Sequence, residues 1–146
     1  MTLSAFLNRS RPGSAVAGLA AIFLTTAGCA LVNDVAYGMK QTTHANPVEL
    51  AQERGTTLDW MPSDARSISR VASTREDGVE SILFTSATAP TGCTETERMS
   101  APTMSIDDAP DVYDIDEVFV CGRWAVAAGP GDAYVAWTPA AEADAS

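Results

Sequence analysis

The feature that most constrains this chain is an uncharged stretch near its N-terminus, running from Ser14 to Val32. Arg9 and Arg11 precede it, and the first acidic residue is Asp34. Positive charge followed by a short apolar segment and small residues is the pattern of an export signal. The sequence therefore predicts that residues 1–28 direct the chain out of the cytoplasm, and that only the remainder folds as a domain.

A cysteine closes this segment in the run Leu24-Thr25-Thr26-Ala27-Gly28-Cys29. The run resembles the lipobox of bacterial lipoproteins, in which the cysteine is lipidated and becomes the first residue of the mature protein. Ala27 and Gly28 match the small pair of that motif, whereas Thr26 stands where it usually has leucine. The resemblance implies that Cys29 anchors the chain to the extracytoplasmic face of the cell membrane.

Two other interpretations of the same segment stay open. The uncharged stretch is just long enough to span a bilayer as a single transmembrane helix, and an ordinary cleaved signal is the third interpretation. All three place Arg9 and Arg11 in the cytoplasm and the rest of the chain outside, because positive flanks are retained on the cytoplasmic side.

The rest of the chain is acidic. The full sequence has 9 Lys+Arg against 19 Asp+Glu, a formal net charge of −10, and the predicted signal contributes only positive charge. Phosphate groups of nucleic acids and anionic lipid headgroups repel such a domain. We therefore expect no nucleic-acid partner, and we expect the anchor alone to hold the domain at the membrane.

Cysteine usage agrees with an exported chain. Once Cys29 is assigned to lipidation, Cys93 and Cys121 remain, and thiols outside the cytoplasm usually pair. Closing a loop of this length stabilises a small domain by roughly 3–4 kcal/mol when the effect is attributed to chain entropy. The alternative is two buried free thiols. No Cys-x-x-Cys motif indicates a redox site.

One short helix is predicted after a tether over residues 29–45, which lack a strong hydrophobic period. Asn46 can cap the helix, Pro47 suits its first position, and Glu49 can reach back to the cap. Gly55 then ends the helix after about eight residues.

The remaining elements are strands. Residues 67–74 and 79–86 are predicted to form a hairpin around the Asp-Gly turn at 77–78. Three apolar runs separated by glycine turns predict a C-terminal meander, at 118–121, 124–128 and 133–137. The predicted fold is an α+β domain over residues 46–139, with about five antiparallel strands. Residues 140–146 are predicted to be a flexible tail.

Seven large apolar residues are expected to form the core, among them all three tryptophans: Trp60, Phe84, Val120, Trp124, Val126, Val135 and Trp137. The tryptophans are alternatively an aromatic platform for a ligand, but their spacing along strands favours packing in the core.

A long irregular segment, residues 87–117, separates the hairpin from the meander. Its prolines exclude a long regular element, and loops of this length are often functional. Six acids cluster within its last eleven residues: Asp107, Asp108, Asp111, Asp114, Asp116 and Glu117. They are weak candidates for Ca²⁺, which prefers six to eight oxygen ligands. Their spacing does not match an EF-hand loop, so we expect a solvated acidic loop and no bound metal.

Catalytic chemistry is not predicted. His44 is the only histidine and lies in the presumed tether, where it cannot be held beside a nucleophile. Zinc and copper sites need clusters of histidine or thiolate, which the sequence lacks; Met99 and Met104 alone are better explained as packed or exposed side chains. Paired carboxylates of a glycosidase stay open. We expect no enzyme activity and no cofactor.

Residues 116–138, together with Trp60-Met61-Pro62, resemble small exported lipoproteins of high-GC Gram-positive bacteria. The similarity covers residues 58–139. It implies a single anchored domain with a Cys93–Cys121 pair, and it carries over no catalytic residue. The predicted role is a protein-interaction or accessory module of the cell envelope. The alternatives are a small-ligand or Ca²⁺-binding domain that uses residues 107–117, or a single-pass membrane protein.

Overall fold

The computed structural model describes residues 37–145. The predicted signal over residues 1–28, the lipidation candidate Cys29 and the first part of the predicted tether lie outside the described residues. Over 37–145, no helix has both the length and the apolar character that crossing a bilayer requires.

Within this part of the chain, seven strands form a single antiparallel sheet in the order β1-β2-β3-β7-β6-β5-β4. The strands are β1 (Met39–His44), β2 (Arg66–Ser73), β3 (Glu80–Thr85), β4 (Thr94–Glu97), β5 (Glu117–Cys121), β6 (Trp124–Ala128) and β7 (Ala133–Thr138). Helix α1 (Pro47–Arg54) connects β1 to β2, and two 3-10 helices cover Val112–Asp114 and Ala141–Asp144. The pairing of β3 with β7 joins two meanders into one sheet.

The fold is therefore mixed but rich in sheet, with two strands more than the five predicted. The predicted hairpin corresponds to β2 and β3, and the predicted meander to β5, β6 and β7. The added strands are β1, within the predicted tether, and β4, within the predicted long loop. Both are edge strands with polar sequences, MKQTTH and TETE, and their residues are mostly exposed or half-buried. An edge strand pairs on one side only and needs no apolar alternation, so hydrophobic periodicity could not reveal it.

Helix α1 has the predicted bounds and caps. The Asn46 side chain accepts hydrogen bonds from the backbone N–H groups of Val48 and Glu49, both at 3.0 Å. Gly55 has a φ of 77° and donates its N–H to the Ala51 carbonyl at 2.8 Å. Such a left-handed C-terminal position favours glycine. Local chemistry thus fixes both ends of the helix.

A network of ion pairs around the buried Glu80 holds α1 against the sheet. Arg54 Nη2 donates to Glu80 Oε1 at 2.6 Å, and Arg70 Nε donates to Glu80 Oε2. Glu53, also on α1, pairs with Arg70 at 2.8 Å and with Lys40 of β1 at 2.7 Å. Burial alone would raise the pKa of Glu80, but the hydrogen bonds and charges of the two arginines outweigh it and hold the pKa below its ordinary value of 4.5.

The core occupies both faces of the sheet. The α1 face packs Trp60 against Trp124, with ring centroids 5.5 Å apart, and against Phe84 at 6.2 Å. The opposite face packs Val135 and Trp137 of β7 against the polypeptide that crosses it. All seven predicted core residues are buried. The interpretation of the three tryptophans as core residues is therefore confirmed.

Cys93 and Cys121 form a disulfide, as predicted, and their Cα atoms are 4.5 Å apart. The bond joins the residue before β4 to the last residue of β5. Thr94 lies directly opposite Val120 in the sheet, so the disulfide reinforces the beginning of an edge strand that pairs with only one neighbour.

Candidate interaction surface

A crevice of about 210 Å³ lies on the face of the sheet opposite α1. The segment 98–116, which links β4 to β5, crosses this face and supplies most of the lining. The larger apolar side chains of the lining are Pro102, Met104, Ile106, Pro110, Val112 and Val135. Ile106 and Val112 are buried and hold the segment against the sheet, so the crevice has a fixed apolar floor.

Close approach between the segment and the sheet depends on small residues. A Cβ atom placed on Gly129 would lie 2.3 Å from Pro110 Cγ, so the β6–β7 turn accepts Pro110 only because residue 129 is glycine. Ala125 and Ala127 are the residues that β6 presents to this face, and both are fully buried. Their small side chains leave room for the segment to pack directly on the strand.

The start of the segment is held by Glu142 of the C-terminal 3-10 helix. Glu142 is 1% exposed, and its Oε1 accepts the backbone N–H groups of Met99 at 2.6 Å and Ser100 at 2.7 Å. Its Oε2 accepts the Ser100 hydroxyl at 2.5 Å. That hydroxyl in turn accepts from Trp137 Nε1 at 2.9 Å and from the Ala141 N–H at 3.3 Å. Residues 141–144 thus form a 3-10 helix that contacts the rest of the domain, within the segment that the sequence analysis predicts to be a flexible tail.

The hydrogen bonds to Glu142 favour the charged form of its carboxylate. Burial alone would raise the pKa of Glu142, but hydrogen bonds from the Ser100 side chain and from backbone N–H groups outweigh it, and the pKa lies below its ordinary value of 4.5. Hydrogen bonds to an ionised carboxylate are stronger than those between neutral groups, so they strongly stabilise this contact. These hydrogen bonds fix the conformation of the start of segment 98–116, just before the residues that line the crevice.

The six acids of the predicted cluster form what we call the acidic rim, and every one is exposed. Asp107 and Asp108 lie between the crevice residues Ile106 and Ala109. Asp111 lines the crevice and accepts the Tyr113 N–H at 2.9 Å, which caps the 3-10 helix. No group of three or more His, Cys, Asp or Glu side chains within residues 37–145 is placed to hold a metal ion.

Tyr113 stands at the edge of the crevice and is 72% exposed. The Arg98 guanidinium carbon lies 5.2 Å from the centre of its ring, and Arg98 also donates to the carbonyls of Ile115 at 2.8 Å and Ser100 at 3.1 Å. Sequence reasoning missed both Tyr113 and the crevice. The only local signal was an aromatic residue among acids, while the contacts that shape the crevice are not local.

Two other places could be considered as sites: His44 and a depression on the α1 face of the sheet. His44 lies in β1, not in a tether, with its Nε2 3.0 Å from Thr42 Oγ1. A broad depression of about 460 Å³ lies on the α1 face, lined by Trp60, Trp124 and Arg123 among others. Trp60 Nε1 is buried there without a hydrogen-bond partner among the described residues. The depression is open, and its charged lining residues are Asp59 and Arg123.

Comparisons with protein-family models, with curated proteins and with solved structures found no match to this chain. Function is therefore inferred from geometry and charge.

Proposed function

We propose that this chain is a membrane-anchored extracytoplasmic lipoprotein whose domain serves as a protein-interaction module of the cell envelope, without catalytic activity of its own. The observation that carries the proposal is the apolar crevice on segment 98–116, with an exposed tyrosine fixed at its edge. Tyrosine and arginine are enriched where proteins meet, and Tyr113 and Arg98 contact each other at the edge of this crevice.

The size of the crevice favours a protein partner over a free small molecule. Pockets that enclose drug-sized ligands are usually about 300–1,000 Å³ and bury most of the ligand. The crevice is smaller, at about 210 Å³, and open on one side. It fits one side chain whose backbone stays outside, which is the way a protein surface inserts an anchor residue into a pocket.

Rigidity of the surface is the second support. Glu142 fixes the start of the segment, Pro110 packs on Gly129, and Asp111 caps the 3-10 helix that carries Tyr113. A surface held in one conformation loses little conformational entropy on binding.

The proposed anchor keeps the domain near the membrane. From Cys29 to the first residue of β1, Met39, the chain extends no further than ~35 Å. A single acyl chain gives only marginal, reversible membrane binding, so we expect two or more chains on Cys29. Because the domain is acidic, anionic lipid headgroups repel it, which leaves the crevice accessible to other envelope proteins.

Site-specific photocrosslinking in intact cells tests the proposal. A photoreactive amino acid replaces Tyr113, and the matched control carries it at Asp77, an exposed position in the β2–β3 turn at the opposite end of the sheet. We expect one discrete protein adduct from position 113 and none from position 77. Absence of an adduct at 113, or the same adducts at both positions, would overturn the proposal.

A further inference from the structure

The crevice and the acidic rim together select a partner of one chemistry, and this inference rests on the proposed function. Asp111 belongs to the crevice wall, and Asp107 and Asp108 lie between two lining residues. Asp114 directly follows Tyr113 at the crevice edge. A side chain that enters the crevice therefore carries its neighbouring residues past several exposed carboxylates.

Arg98, the cation that contacts Tyr113, does not neutralise the rim. Arg98 lies over the Tyr113 ring and donates to two backbone carbonyls, those of Ile115 and Ser100. Its guanidinium is thus engaged with neutral groups and has no carboxylate partner among its hydrogen bonds. The potential outside the crevice is set by the carboxylates, and it attracts positive charge.

We propose that the crevice binds a segment of a partner protein in which one aliphatic or aromatic side chain is flanked by lysine or arginine. The apolar residue enters the crevice, and the basic residues lie over the rim. Apolar burial gives affinity, while charge complementarity guides the encounter and rejects acidic segments. A second copy of this chain is disfavoured, because its rim and its net charge of −10 would meet the same charges.

Binding of short peptides to the mature lipidated chain tests this inference. The chain is held in nanodiscs of zwitterionic phosphatidylcholine, so that basic peptides are not attracted to the lipid. Three fluorescent nine-residue peptides serve as probes: leucine flanked by lysines, glycine flanked by lysines, and leucine flanked by glutamates. Fluorescence anisotropy reports the dissociation constant of each.

We expect the lysine-flanked leucine peptide to bind at least fivefold more tightly than the glycine peptide, and the glutamate-flanked peptide not to bind. Raising the salt concentration from 0.1 to 1 M shortens the Debye length from about 10 to 3 Å. The same change should weaken binding of the basic peptide about tenfold. Empty nanodiscs should bind none of the probes.

Two variants locate the binding site. Ala109→Leu adds volume to the wall of the crevice. It should raise the dissociation constant of the lysine-flanked leucine peptide about tenfold and should have little effect on that of the glycine peptide. Asp107→Lys with Asp114→Lys should abolish binding through charge reversal at two exposed positions. Glu76→Lys with Asp77→Lys makes the same change of charge in the distant β2–β3 turn and should leave most of the binding intact.

Equal loss in the rim and control variants, tighter binding of the acidic peptide, or a dissociation constant above about 1 mM for the basic peptide would overturn the inference. If the basic peptide fails to bind while Tyr113 still crosslinks to a protein in cells, the crevice has a partner of different chemistry and the proposed function stands. If both fail, the proposed function falls as well. Self-association that Ala109→Leu abolishes would identify a second copy as the occupant and would also contradict the inference.

Discussion

The tie between Glu142 and the start of segment 98–116 gives a sharp prediction about stability. The backbone N–H groups of Met99 and Ser100 and the Ser100 hydroxyl all donate to the carboxylate, and hydrogen bonds to charged groups contribute about 1.5–3 kcal/mol each. Glu142→Ala leaves two backbone N–H groups and one hydroxyl without their acceptor. Because such contributions are not additive, we expect the free energy of unfolding to fall by about 3 kcal/mol in total.

Glu142→Gln removes the negative charge of the side chain while keeping nearly the same shape. The remaining amide oxygen can still accept the N–H groups of Met99 and Ser100, but the new NH₂ group faces the Ser100 hydroxyl. Both lone pairs of that hydroxyl are already used by Trp137 and Ala141, so it cannot accept a further hydrogen bond. We expect a loss of about 2 kcal/mol, which lowers the folding equilibrium constant roughly thirtyfold.

Low pH should reduce the difference in stability between the natural protein and the Glu142→Gln variant. The pKa of Glu142 is lower in the folded than in the unfolded chain, so its contribution is fully present above the ordinary value of 4.5 and is lost as the pH falls through the folded pKa. The gap in stability between the natural protein and the glutamine variant should therefore narrow as the pH is lowered below 4.5.

Urea unfolding of the mature chain, followed by tryptophan fluorescence, measures these values. Asp144→Asn is the control, since it removes a charge from an exposed position in the same 3-10 helix and should change stability by less than about 0.5 kcal/mol. If the glutamine variant is as stable as this control, or if the gap does not depend on pH, the assignment of Glu142 as a charged tie is wrong.

Three other perturbations test the fold and the rim. Glu80→Gln leaves two half-buried arginines without their shared buried carboxylate and should cost about 3 kcal/mol of unfolding free energy in the same urea assay; a loss below about 1 kcal/mol would contradict the role of Glu80 in this network. Cys93→Ser with Cys121→Ser should cost about 3–4 kcal/mol, and an unchanged urea midpoint would show that the disulfide adds nothing. Millimolar Ca²⁺ should leave the melting temperature unchanged, since a ligand that binds only the folded chain must raise it; a rise would show that the rim holds the ion.

Features fixed by neighbouring residues could be predicted from the sequence. The caps of α1 depend on Asn46 and Gly55, and the hairpin turn on an Asp-Gly pair, so each signal lies within a few positions of its effect. The strands β5, β6 and β7 are buried inside the sheet and therefore have a strong apolar pattern. The class of fold follows from these elements.

Features that depend on contacts between residues far apart in the sequence could not be predicted from it. Glu142 reads as one more acid in a small, polar tail, yet its donors lie 42 and 43 positions earlier. The crevice needs Gly129 to admit Pro110 and Val135 to form part of its wall. Edge strands β1 and β4 have no apolar period because one side of each is unpaired. Contacts between distant residues, rather than local composition, determine the Glu142 hydrogen bonds, the crevice and the two edge strands.

The mass of the intact mature protein tests the central claim most directly, because a tethered interaction module requires export and a lipid on Cys29. We predict a chain that begins at Cys29, carries a diacylglyceryl group on that residue, and has Cys93 and Cys121 oxidised. Replacing Cys29 with serine should abolish both the lipid and membrane retention. A product that begins at Met1, without lipid and with reduced thiols, would contradict the account.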